Sequence, residues 1–148
     1  MLKESEKLFQ DINNIIVGIE DSSIDLSLIK AACTECIIIK LFAEFEKCLK
    51  KDVIYNYLAS NRKNAFDLLN TDSHKMPKFL KTFIDKIIKN NIEDIECIQK
   101  IRNLDTIRNN NIAHTSALCQ SIAWEELPSY IEKANVFLEQ VKQYLESN

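Results

Sequence analysis

The sequence predicts an all-α fold: a single antiparallel helical bundle of five to six helices that takes in residues 1–148 as one domain. Three observations carry this expectation. A chain of 148 residues is long enough for one compact domain with a real core and too short for two comfortable ones. It holds one glycine and two prolines against 46% hydrophobic residues, so chain punctuation is scarce and long helices are favoured over strands and turns. Apolar residues also recur at three- and four-residue spacings along much of its length. No repeat, low-complexity tail or linker divides it.

Residues 2–19 read as a first amphipathic helix, with Phe9, Ile12, Ile16 and Ile19 on one face. Asp21, Ser22 and Ser23 offer a stop and the next N-cap. A second helix is expected from about Ile24 to Lys51; its middle, Leu28 to Phe45, is apolar on most sides and suits a buried central helix. A weaker third segment covers 53–69 and ends before the polar run Asn70-Thr71-Asp72-Ser73. Pro77 fits the first turn of a short fourth helix over about 77–89. A fifth covers roughly 92–117, with Ile95, Ile98, Ile101, Leu104, Arg108 and Ile112 at helical spacings.

Pro128 sets the start of the last helix near residue 127, after a short turn holding Trp124. Leu127, Ile131, Ala134, Leu138, Val141 and Leu145 then alternate at four and three residues, flanked by Tyr130, Phe137 and Tyr144. Such a stripe serves as the core face of a bundle or, in part, as a homodimer seam.

Net charge is −3, so the chain as a whole does not advertise a nucleic-acid partner. RNA binding needs a local basic surface, for which Lys47, Lys50 and Lys51, or Lys75, Lys78 and Lys81, are candidates; lysines at such positions are more commonly solvated helix faces. Five cysteines form no disulfide framework, no charged-then-apolar leader opens the sequence, and runs such as Ile37-Ile38-Ile39 are far short of a membrane span. The expectation is a soluble cytoplasmic protein with reduced thiols and no membrane association. Cys33 and Cys36 have the spacing of zinc or redox ligands but sit inside an apolar helix without a second pair, so they read as buried small side chains. No metal is called for. No cofactor is implied either, since Gly18 alone cannot build a phosphate-binding loop.

The chemistry concentrates in Arg108-Asn109-Asn110-Asn111-Ile112-Ala113-His114, which sets one of three arginines six residues from one of two histidines. Arginine is a permanent forked cation that matches phosphate oxygens, and histidine exchanges protons near neutrality. On a regular helix the two lie about 120° apart with roughly 9 Å of rise, so their heads can flank one phosphate. Glu46 shares a helix face with Ile38, Ile39, Phe42 and Leu49 and borders the core, where a carboxylate needs a partner. Arg108 falls on the stripe of Ile101, Leu104 and Ile112, so pairing with Glu46 satisfies both; alternatively each reaches water on its own. Arg102 and Asn103 repeat the Arg-Asn pair twelve residues from His114, which makes Arg102 a candidate substrate contact outside the motif itself.

An arginine, a polar residue and a histidine at this distance resemble the motif of the HEPN superfamily. Asn109 matches the usual Arg-Asn form, and the motif precedes a final long amphipathic helix. Leu41-Phe42-Ala43-Glu44-Phe45-Glu46 is similar to the apolar segment, ending in a glutamate, that related domains carry on their central helix. The resemblance covers most of the chain in architecture and about a dozen residues in motif. It implies a HEPN-like bundle acting as a metal-independent endoribonuclease in a toxin, phage-defence or stress setting, with RNA as substrate and an antitoxin or defence-system protein as partner. One histidine cannot serve at once as base and acid, so the resemblance implies a homodimer whose two motifs share a cleft. Arg108 and His114 are then catalytic, while Asn109, Glu46 and Arg102 bind or support the substrate. A second class of reading is a non-catalytic HEPN-like helical dimer that binds RNA, nucleotide or a partner protein. A third is an unrelated helical interaction module.

Overall fold

The computed structural model describes residues 1–54, 95–107 and 122–147, and within them every regular element is helical. Helix α1 spans Lys3–Val17 and α2 spans Leu26–Lys47, running on directly into a π-helical stretch, Cys48–Ile54. Helix α3 spans Ile95–Ile107; a 3-10 turn, Trp124–Glu126, leads into α4, Leu127–Ser147. The all-α class is as the sequence predicts. The expected helix over 77–89 and nearly all of that over 53–69 lie outside the described residues. Among the described residues no helix is long and apolar enough to cross a membrane.

Helix α2 is the hub, touching α1, α3, α4 and the 3-10 turn. Ile37, Ile38, Leu41, Phe42 and Phe45 on it are essentially sealed from water. Full burial of such side chains stabilises by roughly 1.5–3 kcal/mol each. The rings of Phe45 and Phe137 meet at 5.7 Å, tilted by 49°, which joins α2 to α4. On α4 the whole stripe Leu127, Ile131, Ala134, Leu138, Val141 and Leu145 is buried, with Tyr130 and Phe137 beside it. This decides between the two uses of the stripe: it is the core face, and a second chain has no access to it. Helix α3 packs chiefly on α4 through Cys97, Ile98, Ile101, Leu104 and Ile107.

Helix α1 sits where several polar contacts and one aromatic stack hold it. Phe9 stacks on Trp124 at 4.6 Å, and the Trp124 indole Nε1 donates to Asn13 Oδ1 at 3.0 Å. The Leu2 amide donates to Asn135 Oδ1 of α4 at 3.0 Å, and Leu2 itself is fully buried. The N-terminal turn has no cap from its own flanking residue. Its amides are met by Glu44 of α2: Oε1 accepts from the Glu4 amide at 3.0 Å, and Oε2 accepts from the Ser5 amide at 2.7 Å and from the Ser5 hydroxyl. Glu44 is 7% exposed and Ser5 is fully buried. A carboxylate under a helix N-terminus satisfies orphan amides and the positive end of the helix dipole together. Thus the buried carboxylate of α2 is Glu44, two residues before the Glu46 that periodicity singles out; Glu46 is half-buried.

The start of α2 also differs from expectation. Asp25 is the N-cap, its Oδ1 accepting from the Leu28 amide at 3.2 Å. Asp21 is occupied nearer home, accepting from the Ser23 amide at 2.9 Å and the Ser23 hydroxyl at 2.7 Å in a local turn. Those bonds, the hydroxyl's first, hold its carboxyl below the usual value.

Replacing Glu44 by alanine strands the Glu4 and Ser5 donors in a buried site. The expected loss in unfolding free energy is about 3 kcal/mol. Glu44→Gln keeps one acceptor oxygen and loses less. Urea denaturation followed by far-UV circular dichroism measures both; a loss below about 1 kcal/mol for Glu44→Ala contradicts the assigned role.

Candidate functional site

Helix α3 leads the chain toward the motif. One face is buried, and the last described residue, Ile107, is 2% exposed. The opposite face carries Glu96, Gln99, Arg102 and Thr106, all exposed. Arg102 therefore presents a guanidinium on the solvent side of α3, and its carbonyl accepts from the Thr106 hydroxyl at 3.0 Å. Its neighbour Asn103 is turned to a different task. The Asn103 amide Nδ2 donates to the Tyr130 hydroxyl of α4 at 2.6 Å, and Lys100 Nζ lies 4.3 Å from the centre of the same ring. The second Arg-Asn pair is thus split: Arg102 faces water and Asn103 clamps α3 to α4. Burial raises the Tyr130 phenol above its ordinary value, opposed by the Asn103 hydrogen bond and helped by Glu126.

Arg108, Asn109 and His114 lie outside the described residues, as do Ile112, Cys119 and His74. The expected pairing of Glu46 with Arg108, and the approach of Arg108 to His114, lie outside them too. Glu46 ends α2 beside Lys47, and the basic group that follows in sequence has Lys47 and Lys51 exposed and Lys50 half-buried. The other lysine group, Lys75, Lys78 and Lys81, is outside the described residues.

A groove of about 730 Å³ runs between α1 and α4, with Phe9, Ile131 and Val136 among its apolar lining. Its rim carries Glu6, Glu132 and Glu139, all exposed. That sign of charge repels a phosphodiester, so this groove is a poor candidate for RNA. The exposed lysines near the end of α2 have the sign that RNA requires.

The thiols separate by position rather than by spacing. Cys33 is half-buried, and its thiol is pushed up by burial and then by neighbouring Cys36. Cys36 is exposed, which corrects the expectation of two buried small side chains. Three residues advance a helix by 300°, so the pair straddles the edge of the core face. Among the described residues no three His, Cys, Asp or Glu side chains converge as a metal site. Cys48 was not singled out by the sequence. It is 5% exposed, its thiol donates to the Met1 carbonyl at 3.4 Å, and burial, followed by the Asp52 carboxylate, pushes it up to about 11. It is a poor nucleophile at neutral pH.

Comparison with protein-family profiles, with curated proteins and with solved structures yields no match.

The Cys48 shift has a consequence for stability. The folded state holds the thiol proton up to about 11, against an ordinary value of 9.0, so the unfolded chain ionises first. This contribution is complete below pH 9 and is lost as pH rises toward about 11. Tyr130, raised in the same sense, adds to the decline at higher pH. Urea midpoints across that alkaline window are expected to fall, and to fall less steeply in Cys48→Ala. Parallel declines for the two proteins contradict the assignment.

Proposed function

We propose that this chain is a metal-independent endoribonuclease of HEPN type, acting in the cytoplasm as a homodimer in a toxin, phage-defence or stress setting. The observation that carries the reading is Arg108-Asn109 followed by His114, six residues from the arginine, in a chain whose described part is wholly helical. Two further facts support it. The motif follows the last described residue of α3, whose core face packs against α4, and in sequence Arg108 continues the series Ile101 and Leu104. Arg102 is exposed on α3 six residues earlier.

The chemistry follows from the side chains. One His114 takes the proton of the ribose 2′-hydroxyl as its oxygen attacks phosphorus. The His114 of the second copy gives a proton to the departing 5′-oxygen, leaving a 2′,3′-cyclic phosphate. Arg108 stabilises charge on the phosphoryl oxygens, and Asn109 orients them. An antitoxin or other defence-system protein is the expected partner.

A second reading draws on the exposed apolar residues Leu28 and Ile39 of α2. It makes the chain a non-catalytic HEPN-like helical dimer that binds RNA, nucleotide or a partner protein.

Incubating the protein with RNA in excess chelator separates the two. The nuclease is expected to leave 2′,3′-cyclic phosphate ends, detected by mass spectrometry. Arg108→Ala and His114→Ala are each expected to lower the rate by about 100-fold or more with circular dichroism unchanged. Binding without turnover supports the second reading, and equal degradation by wild type and variants marks a contaminating nuclease and sinks the first.

A further inference from the structure

The groove between α1 and α4 has the wrong sign of charge for RNA, and the same walls fit a different occupant. On α4 its lining runs from Pro128 to Gln143, which on a regular helix covers about 22 Å. Helix α1 supplies the facing wall at Glu6, Phe9 and Gln10. A space so long, with a volume of about 730 Å³, suits a segment of polypeptide better than a compact small molecule, which prefers a deep enclosure.

Apolar surface and charge are arranged as floor and rim. Phe9, Ile131 and Val136 give the apolar surface; exposed Glu6 stands on one wall, and exposed Glu132 and Glu139 on the other. Glu132 and Glu139 are seven residues apart, hence two turns along one side of α4. Among the described residues that line the groove, none is lysine or arginine. The lysines nearest in sequence are otherwise placed. Lys7 pairs with Asp11 at 3.0 Å, Lys133 pairs with Glu96 at 3.5 Å, and Lys3 and Lys142 take no part in the lining. The groove itself offers only negative charge.

Gln140, which also lines it, adds a demand for a donor. Its side-chain oxygen is buried and accepts no hydrogen bond. An acceptor left in that state costs stability until a donor reaches it. Lysine and arginine side chains carry donors alone, so a cationic occupant answers both the rim and this oxygen.

The walls also select the occupant's backbone. Both are helices, whose backbone groups bond within themselves and give an extended strand no edge to pair with. An occupant must arrive with its own backbone satisfied, as a helix does. Apolar residues at three- and four-residue spacing then meet the floor, and lysine or arginine beside them meets the acids on both walls.

We propose that this groove is the docking site for a basic amphipathic helix of a partner protein, its apolar face on Phe9, Ile131 and Val136 and its cations against Glu6, Glu132 and Glu139. The same acids turn away nucleic acid and anionic lipid surfaces. The proposal stands apart from the ribonuclease reading, since the groove holds no residue from 108 to 114 and its binding is measured without RNA.

The probe is a labelled synthetic helix about four turns long, with leucine at three- and four-residue spacing and lysine on both flanks, titrated with the full chain and followed by fluorescence anisotropy. Saturable binding that weakens as salt is raised is expected. Probes with glutamine in place of the leucines, or glutamate in place of the lysines, are each expected to bind about tenfold more weakly or worse. Glu132→Lys and Glu139→Lys, at exposed positions, are each expected to lower affinity by about fivefold or more with circular dichroism unchanged. Glu20→Lys alters net charge equally, lies outside the groove, and leaves binding intact. Gln140→Leu is expected to weaken binding while raising the urea midpoint of the free protein, because the unpartnered acceptor is gone. Absence of saturable binding overturns the proposal. So does equal binding of the leucine-free probe, which marks a mere anionic patch, or an equal loss in Glu20→Lys, which marks net charge alone.

Discussion

The Glu44 carboxylate beneath the start of α1 is the contact on which the rest of the packing depends. A buried carboxylate is costly unless every lone pair it turns inward finds a donor. Here two amides and a hydroxyl answer it, and the positive end of the helix adds to them. The benefit runs both ways, because α1 has no cap of its own and its first amides would otherwise be stranded. Once α1 is seated, Phe9 and Asn13 are in place to receive the Trp124 ring and its indole nitrogen. That fixes the 3-10 turn from which α4 departs. The core face of α4 then closes on Phe45 and on α3.

Periodicity made the broad plan readable. The α4 stripe from Leu127 to Leu145 is buried at every position, and the middle of α2 is the central core helix. What periodicity cannot supply is the extent of the neighbour lying against a face. It groups Glu46 with Ile38, Ile39 and Phe42, yet Ile39 is half open to water and Glu44 is the buried acid. The reason is that α1 presents amides at Glu44, and no local pattern announces a cap supplied from 39 residues away. Asp21 and Asp25 carry the same side chain, and only the turn through Ser23 decides which one caps α2. Asn103 shows the limit at the site itself. In sequence it looks like a second copy of Arg-Asn, but its partner, Tyr130, lies 27 residues on. The described residues of the candidate site are Glu46 and Arg102, and the motif that makes them of interest was legible only as sequence.

Among the described residues, charge is unevenly spread over the surface. Acidic side chains line the groove between α1 and α4, while exposed lysines gather where α2 passes into its π-helical continuation. The first region repels an anion, and the second differs from it in carrying lysines, interleaved with Glu46 and Asp52.

The bond from the Leu2 amide to Asn135 spans 133 positions of sequence. During synthesis at roughly 5–20 residues per second, α1 leaves the ribosome well before the side chains that receive it exist. Its partners Trp124 and Asn135 come from the far end of the chain, so the fold cannot close by adding one helix to the next. Contacts of such long range slow folding, because loop closure must precede the burial that rewards it. For most of translation, therefore, α1 can lean only on Glu44 and α2, and the side it later gives to Trp124 and Asn135 is the one open to wrong partners.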